Sequence, residues 1–321
     1  MHSPMPLPQR CPKHLSKDIR RSVALMGTVV TIHVVAAAET NRNDAAEREE
    51  AVERAFEWFS RVEECCTRFE AGSEVMQLAS RVGVPVRVST LLYEAVQFAL
   101  ALAQESEGAF DPTVGYAMET RGFNRDYRSG QPIRSSIDPE ISVSYRDVRL
   151  DADRGTITLV RPVILDLGAV AKGLAVDLAA RELRPFQNFA IDASGDLYLA
   201  GRNPDGERWS IGIRHPRRAN DLIDSLRVSE RAVCTSGDYE RRSSNDNGHH
   251  ILDPRRGSPA NSVASVTVVA PNAMLADALA TAAFVLGPQE GIRLFDRLDV
   301  DGLIVTPQLE RYATRGMSDY H

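Results

Sequence analysis

The stretch "ILDLGAVAKGLAVDLAARELRPFQNFAIDASGDLYLAG" (164–201) carries the pattern on which the fold is read. An apolar run spanning 163–167 reads as a strand, and a helix runs from about 168 to 184. Strand-like runs at 187–192 and 196–201 then flank a tight Ser-Gly turn at Ser194-Gly195. The start of the helix exposes backbone N–H donors and the positive end of the helix dipole, which suits a phosphate or pyrophosphate. Lys172 sits in the first turn, where that dipole disfavours a cation, and so hints at an anionic partner. A plain strand-helix unit with a surface lysine explains the same residues, and both readings stay open.

On the N-terminal side, residues 1–21 are expected to form a disordered arm, with "SVALMGTVVTIHVVA" (22–36) as one strand. Helical periodicity from Asn43 places Val52, Phe56, Phe59 and Val62 on one buried face. Cys65 and Cys66 continue that helix as core residues, since adjacent cysteines bridge only with strain. A helix near 73–81, a short strand at 84–88 and a helix capped by Ser89 or Thr90 and ending at Gly108 follow. Residues 119–140 are polar and irregular, and strands are expected at 145–151 and 156–160. Further strands are expected at 208–213, 231–235 and 263–269, then two helices at 273–287 and 288–298 and a final strand "GLIVTP". Long helices mixed with many antiparallel-style strands, without a repeat or a linker, imply one large α+β domain over 22–321.

The formal net charge of -6 argues against non-specific nucleic-acid binding. No run is apolar for long enough to span a membrane, and the basic, Pro-rich start lacks the apolar segment of a signal peptide. No membrane anchor is therefore expected, and the chain reads as cytoplasmic. Cys11-x-x-His14 could be half of a zinc site but lacks a second half. The usual nucleotide-binding fingerprints, G-x-G-x-x-G after a strand and the P-loop, are absent.

Three further segments could carry chemistry. In "AMLADALATAAFVLG" (273–287), Asp277 needs compensation for its apolar surroundings, and Thr281 lies one turn later on the same face. Carboxylate and hydroxyl at that spacing are hard ligands suited to Mg2+; they could equally cap a loop and bond back to the helix. In "GAFDPTVG" (108–115), a helix cap leads into an Asp-Pro turn beside a phenylalanine that could line a planar ligand. "GHHILDPRRGSPAN" (248–261) holds two of the seven histidines.

Taken in order, Met26-Gly27-Thr28, "GAFDPTVG", "LDLGAVAKGLAVD", "ASGDLYLAG", "TSGDYER", "HHILDPRRGSP" and "ADALATAAFVLG" resemble the ApbE family of flavin transferases from Met26 to about Pro307. That resemblance implies an ApbE-like α+β domain, its mixed or antiparallel sheets packed against helices. It also implies a Mg2+-dependent enzyme that cleaves the pyrophosphate of FAD. FMN would pass as a phosphoester to a threonine of an acceptor flavoprotein, with release of AMP. Asp277 and Thr281 match the family's metal-binding side chains, and Ala169 matches a backbone-carbonyl ligand. Met26, Phe69, Ala109, Phe110, Asp111, Asp166, Lys172 and Ile251 match nucleotide-contacting positions. His250 matches a histidine suited to take the threonine proton, with His249 as its solvent-facing neighbour. An acidic residue before the metal-site threonine is common in the family; here it is Ala280. Two alternatives keep the same pocket: an FAD pyrophosphatase, with water as acceptor, and a flavin-binding protein without turnover.

Overall fold

Ile19–Leu25 (β1) turns into Thr28–Val34 (β2) through Met26 and Gly27, at φ 52° and 71°. A two-residue turn with both residues left-handed matches the twist of the paired strands. The single strand expected over 22–36 is therefore a hairpin, and it begins inside the expected arm. The computed structural model describes residues 18–36, 42–135, 142–240 and 248–321. Most of the expected arm, with Cys11 and His14, lies outside them.

The chain continues as helices α1 (Arg42–Cys66) and α2 (Glu74–Ala79), strand β3 (Val86–Arg87), and helices α3 (Thr90–Glu105) and α4 (Gly115–Thr120). Ser89 caps α3, its hydroxyl accepting the Leu92 amide. Strands β4 (Val148–Asp151) and β5 (Thr156–Leu159) precede helix α5 (Gly168–Leu183). Residues 163–167 form no strand; they are anchored instead by bonds from Gly115 N to Ile164 O and from Asp166 N to Pro112 O. Next come β6 (Phe189–Ala193), β7 (Asp196–Ala200), β8 (Trp209–Arg214), β9 (Leu222–Val228) and β10 (Arg231–Gly237). After β11 (Leu252–Asp253), β12 (Ser258–Pro259) and β13 (Ser265–Ala270), the chain ends with α6 (Ala273–Leu286), α7 (Pro288–Arg297), β14 (Asp301–Val305) and β15 (Arg311–Ala313). Sequence periodicity does not reveal β9 and β15.

This is an α+β fold. The main sheet has eight strands in the order β1-β2-β6-β7-β10-β13-β14-β15, every neighbouring pair antiparallel. One face carries the helices: Val266 and Val268 of β13 join a core with Phe59, Leu174 and Phe284. Full burial of such a side chain contributes about 1.5–3 kcal/mol. The other face is covered by the β8–β9 hairpin, where Trp209, Leu226 and Val228 meet Val233, Val269 and Leu303. β13 is buried along its whole length because it is covered on both faces. Cys65 and Cys66 are buried in the helix-side core, as their sequence context implies. No helix among the described residues is long and apolar enough to cross a membrane.

Candidate active site

Helices α5 and α6 pack so closely that a Cβ on Gly173 would lie 2.5 Å from the Ala273 carbonyl oxygen. Asp177 of α5 secures the contact, its two oxygens accepting the Ala273 and Met274 amides at 2.7 and 2.9 Å. Burial pushes the Asp177 carboxyl up to about 6, against the pull of those amides and of Arg181.

One turn from this contact lies a three-charge cluster. Lys172 of α5 forms an ion pair with the buried Asp196 at the start of β7, and its Nζ is 3.9 Å from Asp277 Oδ2 on α6. The turn at Ser194-Gly195, left-handed at both residues (φ 55° and 101°), aims Asp196 into the cluster. Cys234 on β10 pairs with Asp196 in the ladder, and its Sγ lies 3.6 Å from the Ala273 carbonyl. Burial first, then the Asp277 carboxylate, push the Cys234 thiol well above its usual range, so it stays protonated. The lysine side chain is 21% exposed against 2% for Asp196, so the cluster opens to solvent on the lysine side. Ala169 is one turn before Lys172 and Thr281 one turn after Asp277, both half-buried. Asp277, Lys172, Ala169 and Thr281 are thus carried on one packed helix pair. Sequence reasoning missed Asp196, which reads locally as the end of a turn.

A second group gathers where α1 ends. Arg68 is buried; its Nε donates to Asp166 Oδ2 at 2.8 Å, and Nη2 donates to the Phe123 carbonyl. Its guanidinium lies 4.3 Å over the Phe69 ring. Asp166 Oδ1 accepts the Gly168 amide at 2.9 Å, fixing the entry into α5. The Phe123 ring stands edge-on to His250 at 6.4 Å. Arg68 therefore links Asp166, Phe69 and, through Phe123, His250. Neither Arg68 nor Phe123 stands out in the sequence. At the neighbouring hairpin, the Met26 amide donates to Glu63, which Arg128 joins to Glu70 beside Phe69. The Tyr127 ring lies directly over Gly27, where a Cβ would be 3.3 Å from its Cδ1.

The 108–115 loop positions the entry to α5. Asp111 is buried and accepts from Thr113 N, Thr113 Oγ1 and Tyr145 N at 2.9, 2.7 and 3.0 Å. Burial raises its carboxyl despite those bonds. Ala109 and Phe110 are buried in the helix-side core.

His249 faces inward, not toward solvent as the sequence suggests. Its Nε2 donates to the Ala260 carbonyl at 2.8 Å, its Nδ1 accepts the Ile251 amide at 3.2 Å, and its ring meets Phe284 edge-on. With one nitrogen donating and the other accepting, both ring nitrogens are engaged within the protein and neither is left for a metal. His250 is half-buried, and Ile251 is buried in the core. Burial works against the Asp253 carboxylate, yet hydrogen bonds from Arg255 and the charges of Arg255 and Arg256 hold it below its usual range. Asp253 thereby pins the β11–β12 hairpin.

The donor set around Lys172 suits a hard divalent cation, because an ammonium already stands between two buried carboxylates and a threonine hydroxyl and a helix-start carbonyl sit on the same helix pair.

The family model described as ApbE family matches residues 26–304. A FAD:protein FMN transferase of Treponema pallidum (strain Nichols) is 30% identical over 94% of this chain and 88% of its own length. One of Klebsiella pneumoniae (strain 342) is 33% identical over 79% of this chain and 81% of its own. The crystal structure of the ApbE protein from Thermotoga maritima superimposes with a TM-score of 0.82 at 31% identity, covering 94% of this chain and 99% of that one. The flavin transferase ApbE from Vibrio cholerae gives a TM-score of 0.79 at 25% identity, covering 95% and 99%.

Proposed function

Because the chain belongs to the ApbE family and is a flavin-transferring enzyme, we propose that it is a Mg2+-dependent FAD:protein FMN transferase that modifies a threonine of an acceptor flavoprotein. The threonine Oγ attacks the phosphorus of the FMN half of FAD. The bond from that phosphorus to the bridging oxygen breaks, and AMP leaves with the oxygen. His250 takes the hydroxyl proton. Mg2+, held by the Asp277 carboxylate, the Thr281 hydroxyl and the Ala169 carbonyl, would neutralise charge growing on the pyrophosphate oxygens. Lys172 supplies further positive charge at the mouth of the same cluster. Met26 and Phe69 supply apolar and aromatic surface for a flavin or adenine ring. Asp166 and Asp111 shape the pocket by fixing the start of α5 and the loop beside it, with Ala109, Phe110 and Ile251 behind them.

The observation that carries this reading is the Lys172–Asp196–Asp277 cluster held between α5, α6 and β7. Incubation with FAD, Mg2+ and a candidate acceptor should give a covalently fluorescent acceptor and one AMP per label, and Asp277→Ala should abolish both. Absence of label and of AMP across several acceptors overturns the proposal. FMN and AMP formed without any protein acceptor assign hydrolysis instead.

A further inference from the structure

We propose that Lys172 is a built-in stand-in cation for the Asp196–Asp277 carboxylates, and that a divalent metal loads by displacing it toward the FAD pyrophosphate. The inference rests on the transferase reading and extends it by assigning Asp196 to the metal centre and giving Lys172 two successive positions.

Three observations carry it. Asp196 and Asp277 are both buried, and Lys172 Nζ is ion-paired with the first and 3.9 Å from an oxygen of the second. Two carboxylates in a low-dielectric site repel unless a cation stands between them, so the lysine keeps the pair assembled before the metal arrives. Second, the lysine is the most exposed of the three, and its flexible stem lets Nζ swing outward without moving α5. Third, the charges balance in both states. Two carboxylates with one ammonium leave a single negative charge. A divalent ion with the two charges of a pyrophosphate leaves the same total, provided the ammonium stays close, now facing phosphate oxygens. Asp196 also supplies the second carboxylate that is missing at Ala280, from a strand instead of from α6. Metal and substrate would then load together, since the displaced ammonium gains its new partner only when the pyrophosphate is present.

The test is Mn2+ binding to the full-length protein without FAD, measured by the electron paramagnetic resonance signal of the free ion. Lys172→Met is expected to bind Mn2+ about ten-fold tighter than wild type, and Asp196→Asn about ten-fold more weakly. Adding FAD should tighten Mn2+ binding in wild type and leave Lys172→Met nearly unchanged. Mn2+ affinity in Lys172→Met equal to or below wild type overturns the proposal, as does an Asp196→Asn variant that binds like wild type. Should Lys172→Met not fold in metal-free buffer, recovery of its helical circular dichroism by Mn2+, but not by Na+ at equal ionic strength, is the supporting result; no recovery overturns it. The transfer assay separates the two readings. Wild-type transfer without the expected order of Mn2+ affinities discards displacement alone, and that order without transfer discards the transferase alone.

Discussion

Asp177 and Ala273 are joined by a 2.7 Å hydrogen bond in which a carboxylate of one helix accepts the first amide of another. The bond satisfies one of the orphan donors at the start of α6 and favours the positive helix end. Its cost is a buried carboxylate whose pKa is pushed up to about 6 from 3.8. The folded protein therefore holds this proton more tightly than the unfolded chain. The stability gained from that proton is fully present below about pH 4 and is lost as pH rises through about 6, by roughly 3 kcal/mol. Urea unfolding of wild type and Asp177→Asn between pH 4.5 and 7.5 checks this. Wild-type stability should fall relative to the variant as pH rises, and parallel curves would remove the effect.

Gly173→Ala should destabilise the protein by about 1–3 kcal/mol, because the new methyl meets the Ala273 carbonyl and the Met274 Cα, neither of which can rotate away. Wedging α5 from α6 also separates Lys172 from Asp277, so transfer should fall with stability. Thermal unfolding and the flavinylation assay read the two losses, and unchanged behaviour in both would show that the helices can shift apart freely.

Met26 occupies left-handed backbone at φ 52°, which costs a non-glycine residue about 1–2 kcal/mol. Asparagine tolerates that conformation, so Met26→Asn should raise stability by about 0.5–1 kcal/mol while weakening FAD binding. Stability gained with FAD affinity intact would remove Met26 from the nucleotide site.

His250→Ala should slow transfer about 100-fold with FAD affinity changed no more than a few-fold, as expected for the proton acceptor proposed above. His249→Ala should do the reverse, lowering stability by about 1–3 kcal/mol through the orphaned Ala260 carbonyl and Ile251 amide. Equal losses of binding and transfer in His250→Ala would make it a binding residue.

Local signals were legible where one residue type breaks a strong pattern. Asp277 stood out among alanines and leucines, and the apolar run around it marks α6 nearly to the residue. Lys172 stood out at a helix start, although its immediate partners are two carboxylates of its own chain. What stayed hidden depends on contacts distant in sequence. Arg68 meets Asp166 across 98 residues, and nothing next to Arg68 announces it. Asp196 reads as the tail of a Ser-Gly turn until β10 and α6 enclose it. The Ile19–Val34 hairpin has the composition of one strand because a methionine holds the turn position where asparagine or aspartate usually signals a reversal. Residues 163–167 have a strand's composition, yet their hydrogen bonds go to the 112–115 loop and not to a ladder.

The charged cluster draws on α5, β7, β10 and α6, elements far apart in sequence that the folded sheet and helix layer bring together. During synthesis Lys172 and Asp196 leave the ribosome before Asp277, so a chain cut before α6 holds the ammonium and one carboxylate of the cluster but not the second. Recovery of transfer after refolding is therefore expected to follow the docking of α6 against α5 and not the formation of either helix alone.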